Sequence, residues 1–158
     1  VTIAMLHGAA MAGACGLAAA ADIAIARKGT IFSFSEVKLG IIPATIAPYL
    51  HRRMGEAALR RLALHGEPFD AAEAKAIGLV AEVAEPGEAG AMADHHVELA
   101  LSCAPGAIAD AKKLFRRIAS GESTEDEVIG ALVDRWATDE ARAGITAFFN
   151  KEKAPWRS

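Results

Sequence analysis

Two short stretches hold the residues whose types and spacing could do chemistry. In "MAGACG", residues 11–16, small residues crowd around Gly13. Glycine and alanine let a backbone come close to a ligand, and a helix beginning there aims its free N–H groups at it, so an oxyanion could sit in front of them. The same residues also suit tight helix–strand packing with no ligand. The second stretch is "FSFSEVKLGIIPATIAPYL", residues 32–50, in which Glu36 is a lone carboxylate between two apolar runs. Such a carboxylate suits a general acid or base near neutral pH. It also fits an ordinary glutamate at the end of a strand.

The flanking sequence predicts the elements that would position these groups. "VTIAML" is β-branched and aliphatic, a short buried strand ended by the turn His7-Gly8, and an alanine-rich helical stretch follows the small residues around Gly13 and Gly16. "DIAIA" and "TIFSF" are two further strands separated by the polar turn Arg27-Lys28-Gly29. After Pro48 the period becomes helical. In "GEAALRRLALHG", Ala58, Leu59, Leu62 and Ala63 share a face, arginines lie opposite, and Gly66 stands past the end. Asp70 and Glu73 have capping-box spacing, and Gly78 is the stop.

Glu85-Pro86-Gly87 makes a turn, a helix follows through "AMADHHVELAL", and Pro105 starts the next. There Ile108, Ala111, Leu114, Phe115 and Ile118 form one stripe, with Lys112, Lys113, Arg116 and Arg117 opposite. Thr124 and Glu127 are a second capping box. Thr138, before two acids, opens a last helix with Ala141, Ile145, Phe148 and Phe149 on one face, and Pro155 ends it. The chain thus divides into a small α/β part to about residue 50 and a mostly helical remainder.

Composition bounds the function. A chain of 158 residues with 53% hydrophobic content can bury a core, and its net charge of −3 offers no general footprint for nucleic acid. The cluster Arg52, Arg53, Arg60 and Arg61 reads as a solvated helix face. Cys15 and Cys103 sit in apolar surroundings without metal-ligand spacing, which points to a reducing, cytoplasmic compartment. His7 reads as structural, and His95-His96 as surface. Residues 1–21 carry no formal charge apart from His7, but alanine and glycine dominate and Asp22 follows without basic anchors, which argues against a membrane span or signal peptide. A membrane-associated helix over 1–21 stays as a third, weaker option. The start at Val1, within a strand, implies part of a longer chain.

Taken in order, "HGAAMAGACGLAAAADIAIA", "FSFSEVKLGIIPATIAPYL", "GEPFDAAEAKAIGLVAEV" and "DEARAGITAFFNKEKAPW" resemble the crotonase superfamily, the enoyl-CoA hydratases and isomerases, from end to end. The resemblance implies a partial crotonase (ClpP-like) ββα spiral core over 1–65, lacking the family's N-terminal part, followed by an α-helical C-terminal region, 66–158, that covers CoA and builds trimers. It implies that Gly13 supplies one of two backbone N–H donors to a thioester oxygen becoming an enolate, the other donor coming from an upstream loop. Such donors are each worth about 10²–10³ in rate. Glu36 matches the second of two glutamates usual in hydratases, whereas the first falls at Gly16, which has no carboxylate. Lys151 matches a position that can contact the CoA phosphate or adenine region, and it equally suits a solvated lysine at a helix C-terminus.

The resemblance implies reversible hydration of a 2-enoyl-CoA, with CoA as the substrate's handle and no metal or redox cofactor. The wording of the Glu36 segment is most similar to hydratases of the methylglutaconyl-CoA kind, which act on branched-chain or isoprenoid substrates. The single glutamate leaves two alternatives, a double-bond isomerase and a non-catalytic CoA-binding or assembly module. The partners implied are an acyl-CoA and further copies of the chain, as a homotrimer or hexamer, with no nucleic acid or membrane. Trp136 and Trp156 read as packing or subunit-contact anchors, with Phe148 and Phe149.

Overall fold

The computed structural model describes residues 1–157. Consecutive strands alternate between two sheets. Strands β1 (Ile3–Leu6), β3 (Ile23–Arg27) and β6 (Glu82–Ala84) pair in parallel in the order β1-β3-β6, with Ile3 opposite Ile23 and Ile25 opposite Glu82. Strands β2 (Ala9–Met11), β4 (Ile31–Ser33) and β5 (Phe69–Asp70) form the second sheet, parallel between β2 and β4 and antiparallel between β4 and β5. A helix follows each pair: α1 (Gly13–Ala20) after β1 and β2, and a 3₁₀ turn (Glu36–Leu39) then α2 (Ala47–Ala63) after β3 and β4. The repeated ββα unit expected from the sequence is therefore present. The uncharged stretch 1–21 is β1, β2 and α1 rather than one helix. Among the described residues, no helix is long and apolar enough to cross a membrane.

The chain forms two compact units, Val1–His96 and Val97 onward. In the first, Phe32 and Phe34 pack on Phe69 with ring centroids 5.5 and 5.4 Å apart, alongside buried Leu50, Leu62 and Leu79. Offset aromatic pairs add about 1 kcal/mol each beyond their buried area. They anchor the end of β4 just before Glu36. Helix α2 begins at Ala47, earlier than its periodicity predicts, because Pro48 fits the first turn; Gly55 (φ 78°, ψ 168°) then breaks it into two pieces. Helix α3 (Ala71–Ala76) is capped by Asp70, which accepts the Glu73 N–H at 2.8 Å, while the Glu73 carboxylate turns to Arg61. Helix α4 (Ala89–Leu101) buries Ala89 and Ala93 against Ile25 and Ala84.

The turn from β2 into α1 matters most for the site. Ala12 adopts φ 47°, ψ −113°, a conformation that favours glycine, and its N–H is held by the Ser33 carbonyl at 2.9 Å. Cys15, one turn on, is fully buried and donates its thiol to the Ala10 carbonyl at 3.0 Å. Burial pushes this thiol from its ordinary 9.0 up to about 12, with the nearby Glu36 charge adding to the rise. Cys103 departs from expectation. It is exposed just past the end of α4, where its thiol donates to the Leu99 carbonyl at 3.3 Å.

The second unit holds α5 (Pro105–Ser120), α6 (Glu125–Trp136) and α7 (Asp139–Asn150). Thr124 and Glu127 form the reciprocal capping box expected, with N–H bonds of 3.3 and 2.9 Å, and Thr138 caps α7. A polar clasp joins the three helices. The Glu140 carboxylate accepts the Gly106 and Ala107 N–H groups, each at 3.2 Å, and pairs with Arg135, which also reaches Asp110 at 3.3 Å. Gly106 has no side chain because a Cβ would lie 2.6 Å from Arg135 Nη1. The apolar stripe predicted on α5 is not buried: Phe115 and Ile118 are exposed and no α5 residue is fully covered.

These contacts yield three expectations. Ala12→Gly relieves the positive-φ strain and raises stability by about 1 kcal/mol in urea denaturation, whereas an unchanged or lower midpoint would show that the turn is unstrained. Arg135→Gln leaves Glu140 without its cation and Asp110 with Lys113 alone, and costs the helices about 2 kcal/mol, read as faster amide exchange in α5 to α7. Iodoacetamide at about pH 8 alkylates Cys103 in the native protein and reaches Cys15 only after unfolding, as peptide mass spectrometry would resolve. Because the folded Cys15 value is raised, its contribution to stability is complete below pH 9.0 and is lost as pH climbs towards about 12.

Candidate active site

Gly13 is the first residue of α1 and is exposed. The Cys15 and Gly16 N–H groups return to the Ala12 carbonyl at 2.9 and 3.4 Å, whereas an N–H at the first helical position has no intrahelical acceptor. Nothing lies within 4 Å of the place where a Gly13 Cβ would stand. The first turn of α1 therefore has an N–H without an intrahelical acceptor, and the Cα side of Gly13 is uncrowded.

Glu36 opens the 3₁₀ turn rather than ending a strand, since β4 stops at Ser33. The residue is buried, only 8% exposed, and among the described residues its Oε2 has no hydrogen-bond partner. A buried carboxylate oxygen without a donor is costly, which sets Glu36 apart from an ordinary surface glutamate. The Glu36 carbonyl accepts the Ile41 N–H at 3.2 Å, and Gly40 closes the turn at φ 74°. The Ala12 N–H bond to the Ser33 carbonyl brings the strand end three residues before Glu36 against the start of α1. Leu17, Leu39, Ile41 and Ile42, on those same two segments, are exposed apolar side chains. The segments that carry Gly13 and Glu36 are thus joined at their starts through Ala12 and Ser33.

Position 16 holds a feature that periodicity does not reveal. Gly16 is buried, and a Cβ there would overlap Ile46 Cγ2 and approach Ile46 Cβ to 2.8 Å. Ile46 has no marking in the sequence beyond being apolar.

Lys151 lies in the second unit, at the C-cap of α7, exposed, with φ 59° and its N–H on the Phe148 carbonyl at 3.1 Å. Trp136, Trp156, Phe148, Phe149 and Ile145 line a concave apolar basin of ≈ 530 Å³ in that unit. The Trp156 indole donates to the Ser102 carbonyl at 3.0 Å, and its ring covers Gly144. His7 is exposed at the end of β1. His95 is at the surface as expected, while His96 is half-buried and sits 2.5 Å from Glu82 across α4 and β6.

The enoyl-CoA hydratase/isomerase family profile matches residues 1–158. The short-chain-enoyl-CoA hydratase of Clostridium acetobutylicum is 32% identical over 157 residues, 96% of this chain and 59% of its own length. Among crystal structures, an enoyl-CoA hydratase/isomerase from Marinobacter aquaeolei superposes with a TM-score of 0.90 at 37% identity, over 99% of this chain and 60% of that one. Pseudomonas aeruginosa AtuE gives 0.91 at 34% identity, over 99% and 62%. The chain spans about three-fifths of the length of the curated relatives it matches. With a mixed α/β core that follows crotonase-fold structures over nearly its whole length, the chain belongs to the enoyl-CoA hydratase/isomerase family, the crotonases.

Proposed function

We propose that the chain supplies the acid/base group and one oxyanion donor for reversible hydration of a 2-enoyl-CoA thioester. The observation that carries this reading is the buried Glu36 Oε2, which has no hydrogen-bond donor among the described residues. In the forward direction the Glu36 carboxylate takes a proton from water as the water oxygen bonds to the β-carbon. The double-bond electrons move onto the thioester oxygen, where the Gly13 N–H and a donor from outside this chain hold the enolate. The protonated Glu36 then returns its proton to the α-carbon. The sum is addition of one water, with no change in oxidation state overall. CoA serves as the handle, and Lys151 suits its phosphates as a point charge. The wording of residues 35–49 is similar to hydratases of the methylglutaconyl kind, whose acyl group ends in a carboxylate, whereas the exposed Leu39, Ile41 and Ile42 that follow Glu36 favour a branched apolar acyl chain such as an isoprenoid one.

A second reading, movement of the double bond without water, draws support from Gly16 and Ile46. No carboxylate stands at position 16 to hold a water, and Ile46 fills the space a side chain would need. Glu36 alone could carry a proton between the γ- and α-carbons. The aromatic basin of the second unit supports association with another protein surface, because exposed apolar patches of this kind mark protein contacts, and the homotrimer or hexamer and the cytoplasmic setting follow from the family resemblance alone.

The test is loss of the conjugated enoyl-thioester absorbance when a methyl-branched or straight-chain 2-enoyl-CoA is added, with the reaction repeated in ¹⁸O-water. Hydration puts one labelled oxygen into the product; a double-bond shift puts in none. Glu36→Gln lowers kcat by about 10²-fold or more with KM little changed. Equal turnover in the variant overturns the role of Glu36. Absence of turnover in both proteins would make the chain a CoA-binding or assembly module.

A further inference from the structure

We infer that Gly16 and Ile46 form a size-matched contact that fixes Glu36 relative to the Gly13 N–H, which makes Ile46 a positioning residue of the site. The inference rests on the roles given to Glu36 and Gly13 above. Gly16 follows Gly13 by three residues in α1, so the two lie on the same face one turn apart. It is buried under Ile46, and even a methyl group at position 16 would collide with the Ile46 side chain.

Ile46 is 8% exposed and heads α2, its carbonyl accepting the Tyr49 and Leu50 N–H groups at 3.1 and 3.0 Å. From Glu36 the chain reaches it through residues 38–42, 44 and 45, all exposed. Backbone bonds stiffen this span: Ile41 N–H to the Glu36 carbonyl at 3.2 Å, and Ile46 and Ala47 N–H to the Pro43 carbonyl at 3.2 and 2.8 Å. The span is tied to itself and meets α1 where Ile46 meets Gly16. A packed contact of this kind has no slack, so added volume on one side displaces the other. Displacing Ile46 moves the span that begins at Glu36, and a shift of about 1 Å in a reacting group can cost roughly 10² in rate.

The contact is tested by a double-mutant cycle of Gly16→Ala, Ile46→Ala and both together, with Glu36→Gln as reference. Gly16→Ala lowers kcat about 10- to 100-fold and changes KM less than about 3-fold. Trimming Ile46 in the Gly16→Ala background makes room for the new methyl and recovers most of the lost kcat. A merely structural role would lower thermal stability and leave kcat of the folded fraction intact. Parental kcat in Gly16→Ala, or a double variant no faster than Gly16→Ala, overturns the inference.

Amide exchange by mass spectrometry gives a readout that needs no turnover. Exchange across residues 36–46 rises in Gly16→Ala, rises in Ile46→Ala, and falls back in the double variant. Should the parent show no turnover, the hydratase reading fails while exchange still decides the contact. Unchanged exchange over 36–46 in both single variants overturns it, and Ile46→Ala serves alone if Gly16→Ala does not fold.

Discussion

The hydrogen bond from the Ala12 N–H to the Ser33 carbonyl governs the arrangement of the first unit. It ties the end of β2 to the end of β4 at the point where β2 must turn into α1. The turn needs a positive φ, and alanine accepts it only because the flanking backbone is held on both sides, by the β2–β4 ladder before it and the first turn of α1 after it. Ser33 is buried and fixed in its own right, with its hydroxyl on the Gly66 carbonyl at 3.2 Å. One strand end therefore sets the direction of the Gly13 N–H and, three residues later, the place of Glu36. Gly13 and Glu36 therefore share this anchor at one end, while the Gly16–Ile46 contact ties the far end of the span after Glu36 back to α1.

Small residues make this closeness possible. Ala24, Ile25 and Ala26 are buried in succession on β3, as expected for a strand covered on both faces rather than one alternating between core and solvent. Cys15, Gly16 and Ala18 are the buried residues of α1 and let it approach α2 without long side chains in between. The limitation is energetic, since an alanine core removes little apolar area from water. Phe32, Phe34 and Phe69 compensate by concentrating burial at the end of β4, where the chain has most need of rigidity.

The sequence showed strands β1, β3 and β4 because their aliphatic or aromatic runs are bounded by turns, and it showed the helix caps at Thr124 and Thr138 because capping is a local interaction. Strands β2, β5 and β6 were not legible. They have two or three residues each, and partners distant in sequence hold them in place, so no periodicity could develop. Glu36 and Gly13 stood out by residue type, but the 3₁₀ turn at Glu36 and the strained turn at Ala12 depend on contacts with other segments. Cys103 looked apolar by its neighbours and is exposed, since sequence neighbours do not tell which side of a helix end is covered. The meeting of Gly16 with Ile46 was hidden for the same reason: a glycine reports an absence, and only its partner says what fills it.

The helices of the second unit extend that lesson from single residues to a whole surface. An apolar stripe states that a face avoids water; it does not say what covers the face. On α5, α6 and α7 the stripes are real, yet Phe115, Leu132, Trp136, Phe148 and Phe149 stay largely exposed. Contact among the three helices relies instead on polar groups, with the Glu140 carboxylate closing the α5 N-terminus, Arg135 joining it to Asp110, and Gly106 leaving room for both. Because polar contacts of this kind are satisfied within the unit, they hold the helices in register without consuming the apolar faces. The aromatic side chains thereby keep apolar area in contact with water that the packing of the three helices does not remove.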